Sequence, residues 1–376
     1  MSVSVISVRT KKDLAKFIKL PWIIYKGNKC WVPPLIKDMK QSLDIEKNKL
    51  LKSGEHCMFL AIREGKPVGR IYTGIDKNLN QKKNSHLGYF SLFECINDYE
   101  TAKALFDTAV EWFRENKINR IFGPVSTEGT DTDENKGLLI DAFNLPPVLM
   151  NSYNPPYYKT LIEKYGFEKD YDLFAYYLDR EKLFNKNPEK IIEYAKKKYN
   201  FSVDTLDMGN LNEEIKAIKH VLDLAVPDEW EDMVAPTIED VNELAKKLIP
   251  VVDPDLVIIA RSGSEAVGFG IALPDYNQIL VHINGRITPL AALKYLWYKK
   301  RINRVRFFIM FVVPEFRKKG VSYAIYYQTF LNGIKKGFIY GEGSTIGENN
   351  TRMRNDIESL GGEKYKTYRI FKKEID

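Results

Sequence analysis

Two stretches of the chain share one pattern of apolar and polar positions. Residues 59–69 (FLAIREGKPVG) read as an apolar strand, a polar turn with a glycine, and a return strand that opens on Val-Gly. Residues 257–268 (VIIARSGSEAVG) repeat that order. Because apolar runs joined by a glycine-containing turn are typical of antiparallel strand pairs, each half of the chain is predicted to contain a β-hairpin.

Behind each hairpin the pattern predicts a strand, an amphipathic helix, a strand, a short helix that ends at a glycine, and a last strand. In the first half these elements are 86–96, 100–118, 120–125, 157–165 and 171–178. In the second half they are 305–313, 320–336, 338–346, 351–360 and 366–372. Apolar residues on both faces of 305–313 predict a central, buried strand. Gly337 is expected to end the helix at 320–336.

The two halves therefore form an internal repeat with a mixed α/β sheet in each copy. The offset is 199 residues between Gly69 and Gly268 and 195 between Gly166 and Gly361, so the loops differ in length between the copies. A chain of 376 residues exceeds what one core of roughly 250–300 residues holds, which favours two domains. We predict one domain at 1–180, a charged connecting segment at 181–198, and a second domain at 199–376.

Composition is that of a globular protein, with 44% hydrophobic and 28% charged residues. The net charge of +7 is spread over short clusters such as Lys196–Lys198 and Lys299–Arg301, which are expected to be solvated faces. Nucleic-acid binders usually carry a basic stripe or an aromatic platform, so no nucleic-acid partner is expected. The acidic stretch Glu128–Glu134 is interpreted as a solvated loop and not as a metal site.

Cysteine usage and hydropathy limit the class further. Three cysteines, Cys30, Cys57 and Cys95, form no CxxC pair, which argues against a disulfide framework or a zinc site, and no metal is expected. The N-terminal residues lack the features of a signal peptide. The longest strongly apolar run, 307–313, is far shorter than a membrane span. We expect a soluble, cytoplasmic protein with no membrane partner.

The segment 311–322 (FVVPEFRKKGVS) is the sharpest candidate for chemistry. A predicted strand ends on Phe311, Val312 and Val313, and a basic loop of Arg317, Lys318 and Lys319 leads to a helix. Gly320 permits a close approach to the backbone because it has no Cβ. Helix N-termini present N–H groups and the positive end of the helix dipole, so this junction suits a phosphate.

At this junction the sequence resembles the GNAT (GCN5-related N-acetyltransferase) superfamily. The pyrophosphate loop of that family reads Arg/Gln-x-x-Gly-x-Gly/Ala, and here it reads Arg317-Lys318-Lys319-Gly320-Val321-Ser322, with Ser322 in place of the last small residue. Asn350 and the run 357–362 (IESLGG) resemble the family's second cofactor-side motif. Residues 154–158 (NPPYY) and 165–167 (YGF) echo that motif in the first half.

The resemblance implies two tandem GNAT modules and an acetyl-CoA, or another acyl-CoA, bound by the second. It implies that the donor contacts Phe311, Val312, Val313, Arg317, Lys318, Lys319, Gly320, Val321, Ser322 and Asn350. The first half has Glu94, Asp98 and Glu100 at the matching junction. Because carboxylates repel phosphates, no donor is expected there, and Asp98 is expected to cap the following helix.

The resemblance also implies that an amine attacks a thioester, with a backbone N–H near Phe311–Val313 stabilising the oxyanion. The tyrosine that often protonates the leaving thiolate is replaced by Ile357 in the second half and by Ile162 in the first. Glu342 is the candidate catalytic base, with a structural carboxylate as the alternative. His282 is a second candidate, although a lone histidine is more often structural.

Three functions are open at this point. The leading one is transfer of an acyl group, acetyl by preference, from coenzyme A to the primary amine of a small molecule or peptide. The second is a non-catalytic protein that binds an acyl-CoA or another small ligand, which the missing tyrosine and Ser322 favour. The third is an aminoacyl or long-chain acyl transferase of the tandem GNAT type.

Overall fold

The computed structural model describes residues 2–127, 135–184, 188–226 and 235–375, so the predicted acidic loop 128–134 lies outside the described residues. The strands are β1 (Ser4–Ser7), β2 (His56–Arg63), β3 (Lys66–Gly74), β4 (Leu87–Cys95), β5 (Arg120–Gly123), β6 (Leu138–Leu139), β7 (Glu168–Asp179), β8 (Ser202–Thr205), β9 (Val257–Ser262), β10 (Glu265–Pro274), β11 (Arg304–Val312), β12 (Tyr340–Gly347) and β13 (Glu363–Glu374). The helices are α1 (Lys11–Ile24), α2 (Ile36–Ser42), α3 (Lys49–Ser53), α4 (Lys77–Lys83), α5 (Tyr99–Glu115), α6 (Tyr157–Lys164), α7 (Pro188–Tyr199), α8 (Leu211–Ala225), α9 (Ile238–Leu248), α10 (Asn277–Ile283), α11 (Pro289–Lys299), α12 (Val321–Lys335) and α13 (Thr351–Ser359).

The chain divides into two compact units. The first unit consists of Met1–Leu173, Asn277–Lys299 and Lys366–Asp376, and the second of Phe174–Tyr276 and Lys300–Tyr365. The domain boundaries drawn from the repeat remain a prediction. Within the described residues, no helix is both long and apolar enough to cross a membrane.

In the first unit, strands β1 to β5 are neighbours in chain order. Pairing is antiparallel from β1 to β4 and parallel between β4 and β5, and residues 371–374 of β13 pair antiparallel with β5. Helix α5 packs its buried stripe, which includes Leu105, Phe106 and Phe113, against this sheet. The side chain of Asp98 accepts from the Thr101 N–H and caps α5, which confirms the predicted cap.

The second unit repeats this order. Strands β8, β9, β10 and β11 are antiparallel neighbours, and β11 and β12 are parallel. The predicted hairpins, strands and helices of both halves are present, with ends that shift by a few residues. Helix α12 is followed by Gly337 at a φ of 85°, which confirms the predicted stop.

The repeated Val-Gly pair has a packing role. A Cβ on Gly69 would lie 2.8 Å from the Leu105 side chain, and a Cβ on Gly268 would lie 3.2 Å from the side chains of Val312 and Val321. Each glycine therefore seats the helix that follows the next strand against the hairpin. This explains why the same dipeptide opens the return strand in both halves.

Strand β11 differs from the sequence expectation in its burial. It lies between β10 and β12, but Phe308–Val312 are only half-buried. The reason lies in the register, since β11 pairs with β12 only from Arg304↔Tyr340 to Phe307↔Gly343 while both strands continue. The paired part of β11 therefore ends at Phe307, and the carboxyl-terminal half of the strand is less covered.

Residues 277–299 form α10 and α11, two helices that the sequence pattern did not predict. They are inserted between β10 and β11, whereas the corresponding connection in the first half contains the single helix α4. These two helices belong to the first unit.

Candidate active site

The predicted phosphate loop connects β11 to α12. A 3-10 turn at Pro314–Phe316 follows the strand, and Lys318 and Gly320 take left-handed backbone conformations with φ of 63° and 83°. Gly320 is the N-cap residue of α12. The loop therefore leads directly into the first turn of α12, where backbone N–H groups without an intrahelical partner favour an anion.

Arg317 has a different environment from the one its motif predicts. Its Nε donates to the carbonyl of Val312 at 3.2 Å, and its Nη2 donates to the carbonyl of Ala225, the last residue of α8, at 2.9 Å. The guanidinium therefore ties the end of β11 to the carboxyl end of a helix, where a cation is favoured. A direct contact of Arg317 with a donor remains a prediction.

The two lysines supply the positive charge of the loop. Lys318 is exposed, and the Nζ of Lys319 lies 4.6 Å from the ring centre of Phe316 and 5.8 Å from that of Tyr199. Both aromatic contacts hold the Lys319 ammonium beside the start of α12.

A cavity of about 500 Å³ opens next to Gly320. Its volume lies within the range of small-molecule sites. Helices α7, α12 and α13 and residues next to their ends form its walls, which consist of Phe184, Ile191, Ile192, Ala195, Gly320, Tyr323, Glu358, Ser359, Leu360 and Gly361. A Cβ on Gly320 would lie 3.0 Å from the Cβ of Ala195, so only glycine lets α7 approach this closely.

Ser322 stands where the family motif has glycine or alanine. Its hydroxyl donates to Asp356 Oδ2 at 3.3 Å, so a carboxylate of α13 lies beside the first turn of α12. Burial raises the pKa of Asp356, while the Ser322 hydrogen bond and the charge of Arg352 act to lower it. Val321 is buried against the sheet and contributes packing.

Asn350 caps α13. Its side chain accepts from the Met353 N–H at 3.2 Å, which places it at the N-terminus of that helix. The same helix contributes Glu358 to the cavity wall. Asn350 thus supports the cavity through α13, and its direct contact with a donor is a prediction.

Glu342 is fully buried within β12. It accepts from Ser344 Oγ at 2.6 Å and from the hydroxyl of Tyr365, and it pairs in register with the buried Arg306. Arg306 Nε donates to the Ser344 carbonyl at 3.2 Å. On β11, Val312 lies six residues beyond Arg306, a distance of about 20 Å at roughly 3.3 Å per residue. Because Glu342 is opposite Arg306, it lies near one end of β11 and the phosphate loop follows the other end.

Ile357 and Ile162, which occupy the tyrosine positions of the family, are both core residues. Ile357 packs with Phe174, Tyr176, Leu178 and Ile346, and Ile162 belongs to the core of the first unit. Their side chains are 1% and 0% exposed, respectively, and carry no hydroxyl. His282 lies on α10 in the first unit and stacks on Tyr298 with ring centres 3.9 Å apart. Burial lowers the pKa of His282, as does the charge of Lys294.

The first unit contains a buried polar cluster that sequence reasoning missed. Arg70 Nη2 lies 3.6 Å from Glu94 Oε1, and its Nη1 donates to the Phe17 carbonyl at 2.6 Å. Tyr158 donates to Glu94 Oε2 at 2.7 Å and accepts from the Cys95 N–H at 2.9 Å. Burial raises the pKa of Glu94, against the opposing charge of Arg70. The alternation of polar and apolar residues in β3 and β4 marks none of these side chains as partners.

The backbone N–H groups at the ends of β4 and β11 differ in their surroundings. Gly69 pairs with Cys95 and Gly268 pairs with Val312, so Cys95 and Val312 are equivalent positions. In the first unit the Cys95 N–H is bonded to the Tyr158 hydroxyl. The residue equivalent to Tyr158 by the offset of α6 and α13 is Met353, which has no hydroxyl. The N–H at the end of β11 is therefore not blocked in this way.

Comparison with solved structures defines the fold. A tandem GNAT protein from the clavulanic acid biosynthesis pathway superposes over 99% of this chain and 98% of its own, with a TM-score of 0.58 and 11% sequence identity. The chain therefore has the tandem GNAT fold, a mixed α/β architecture, which confirms the resemblance seen in the sequence.

Two curated proteins match nearly the whole chain. A bacterial ceramide synthase of Caulobacter vibrioides is 29% identical over 99% of this chain and 98% of its own length. Protein YghO of Escherichia coli is 27% identical over 97% of this chain and 94% of its own. No family model matches the sequence.

Proposed function

We propose that this protein is an N-acyltransferase that moves an acyl group from a coenzyme A thioester to an amine, with the donor bound by the second unit. The observation that carries the proposal is the cavity beside Gly320, which joins a basic loop and a helix N-terminus to walls of apolar side chains. Phosphates suit the loop and first turn of α12, and the pantetheine arm suits the adjoining cavity.

The thioester carbonyl would lie at the end of β11. The amine nitrogen attacks the carbonyl carbon, a C–N bond forms, the C–S bond breaks, and the sulfur leaves as thiolate or thiol while the amine gives up a proton. A backbone N–H near Phe311–Val313 stabilises the oxyanion of the tetrahedral intermediate. The end of β11–β12 pairing at Phe307 supports the placement of the thioester end of the pantetheine arm between these strands.

A catalytic role of Glu342 conflicts with the proposed position of the thioester at the end of β11. Glu342 has no exposed surface, whereas Tyr365 is half-buried and its hydroxyl donates to the Glu342 carboxylate. Glu342 and Val312 are separated by about 20 Å along β11, so an amine that attacks at the end of β11 would give its proton to the leaving sulfur or to water. Glu342 is proposed to be the structural carboxylate instead. Tyr365→Phe and Glu342→Gln should therefore lower the stability of the second unit in chemical denaturation and leave kcat within about twofold of the wild type.

The acyl group and the acceptor are proposed to be lipidic. One relative that matches along its whole length is named a ceramide synthase, and a ceramide is the amide of a long-chain amino alcohol and a fatty acid. The half-buried side chains Phe308, Ile309, Met310 and Phe311 lead up to the proposed thioester position, and apolar surface of this kind favours an aliphatic chain over solvent. We therefore expect a long-chain acyl-CoA as the donor, in place of the acetyl-CoA that the motif implies.

The test measures free thiol released from acetyl-CoA and palmitoyl-CoA, each with sphinganine or with a short primary amine, and identifies the amide by mass spectrometry. The proposal expects amide formation from palmitoyl-CoA and sphinganine. Faster turnover of acetyl-CoA with the short amine would instead restore the acetyl expectation. Binding of palmitoyl-CoA without any thiol release would support a non-catalytic binding protein, which the isoleucines at the tyrosine positions favour.

Asp356 is expected to weaken donor binding at neutral pH, since its carboxylate lies beside the first turn of α12. Asp356→Asn should tighten coenzyme A binding about two- to fivefold, the effect of a charge at a helix terminus. Calorimetric titration checks this, with Asp223→Asn on the exposed face of α8 as the matched control. Equal affinities of the Asp356→Asn variant and the wild type would place the phosphates elsewhere.

The raised pKa of Asp356 also implies that the free energy of unfolding depends on pH. Because the pKa of Asp356 is higher in the folded than in the unfolded protein, protonation of this carboxyl stabilises the fold. The stabilisation is complete below the unfolded pKa of about 3.9 and is lost as pH rises through the folded pKa. The stability of the wild type relative to Asp356→Asn should therefore fall over that interval. Chemical denaturation of both proteins at a series of pH values measures the difference.

A further inference from the structure

Helix α11 presents an apolar face to solvent. Leu290, Leu293, Leu296 and Trp297 are 62%, 65%, 64% and 52% exposed, and Ile287, just before the helix, is 66% exposed. Their spacing of three and four residues places them on one side of the helix. Large apolar side chains concentrated on one surface helix mark an interaction site more often than scattered ones do.

The opposite face of α11 holds the helix in this orientation. Ala291 is buried, Tyr298 stacks on His282, and Lys294 Nζ donates to the His282 carbonyl at 2.9 Å. Helix α10 is thus the support on which α11 rests. The exposed leucines are consequently displayed by a packed element.

The turn between α10 and α11 is anchored to the rest of the first unit. The Trp22 indole donates to Asn284 Oδ1 at 2.9 Å, and the Ile36 N–H donates to the Gly285 carbonyl at 3.0 Å. Gly285 has a φ of 75°, and a Cβ on it would lie 2.5 Å from the Trp22 ring. These contacts keep the apolar face of α11 at the surface.

The charge of this helix pair selects the partner. Residues 277–299 contain Arg286, Lys294 and Lys299 and no Asp or Glu, and the sequence continues with Lys300 and Arg301. Arg286 and Lys299 are exposed at the two ends of the apolar face. A second copy of the same surface would bring like charges together with no carboxylate to pair them, whereas an anionic lipid surface complements both the charge and the apolar side chains.

We propose that α11 is an interfacial helix that docks this protein on a membrane containing anionic lipids. Its 11 residues span about 16 Å at 1.5 Å per residue, too short to cross a bilayer and suited to lie in the plane of the headgroups. Leu290, Leu293, Leu296 and Trp297 enter the acyl boundary, and Arg286 and Lys299 contact lipid phosphates. A helix of this kind lies on a membrane without crossing it, so it needs none of the length of a spanning segment.

The experiment is vesicle flotation of the full chain on phosphatidylcholine with and without phosphatidylglycerol, in the absence of any acyl donor, so it stands apart from acyl transfer. We expect the wild type to float with phosphatidylglycerol vesicles and to be released by salt. Leu293→Glu combined with Trp297→Glu should lower the bound fraction at least tenfold. Leu224→Glu, at a 48% exposed leucine of α8, is the matched control and should bind like the wild type.

A charge variant completes the test. Arg286→Gln combined with Lys299→Gln should reduce binding on phosphatidylglycerol vesicles to the level on pure phosphatidylcholine. Absence of wild-type flotation, an equal loss in the Leu224→Glu control, or flotation insensitive to the charge variant would each overturn the proposal. A wild-type dimer that the Leu293→Glu, Trp297→Glu variant converts to monomer would identify a second copy as the occupant instead. Unchanged melting temperatures show that the variants are folded.

Discussion

Gly320→Asp should reduce kcat/KM for the acyl donor about a hundredfold, or roughly 2.7 kcal/mol of transition-state stabilisation. Gly320 holds a φ of 83°, which glycine adopts at least cost, and its missing side chain leaves space for α7 at Ala195. The introduced carboxylate would stand at the N-terminus of α12, where it repels the phosphates proposed to bind there. Initial rates of thiol release at varied donor concentration measure the effect.

Gly337 provides a matched control at the other end of the same helix. Its φ is 85°, and a Cβ there meets no atom within 4 Å. Gly337→Asp therefore carries a similar backbone cost, about 1–2 kcal/mol, without entering the cavity. We expect its kcat/KM to stay within about twofold of the wild type because surface changes seldom reach a remote site. If both variants lose activity equally, the loss reflects stability, and the donor site at Gly320 is refuted.

Glu94→Ala should destabilise the first unit by about 3–5 kcal/mol, because it removes the carboxylate beside a buried guanidinium. Arg70 is only 3% exposed, and Tyr158 would lose its acceptor as well. A loss of this size is a large part of the stability of an ordinary domain. Since the chain has two units, hydrogen exchange of the β3 and β4 amides reports on the affected unit better than a global melting curve does.

An exposed ion pair serves as the control for Glu94. Glu55 lies 3.0 Å from Lys77, with both side chains more than half exposed, and Glu55→Ala should cost less than about 1 kcal/mol. Replacing both partners, as in Arg70→Leu with Glu94→Leu, should recover much of the stability lost in Glu94→Ala, because no buried charge is left without a partner. A double variant as unstable as Glu94→Ala would contradict this account.

The repeat and the order of elements in each copy follow from the sequence alone. Local patterns decide these features, since strand and helix periodicities and the glycines at 69, 268 and 337 act through their immediate neighbours. The same local chemistry identified the junction at Gly320, because a strand, a basic loop and a helix start follow one another along the chain.

Which distant side chains meet depends on the tertiary fold. Arg317 turns to the carbonyl of Ala225, 92 residues earlier, and Glu94 meets Tyr158 across 64 residues, contacts that no periodicity encodes. The half-burial of Phe308–Val312 depends on where the pairing of β11 with β12 ends, which follows from register. The exposure of the leucines of α11 likewise depends on which face packs on α10, because an apolar helix reads the same in sequence whether its stripe is covered or left at the surface.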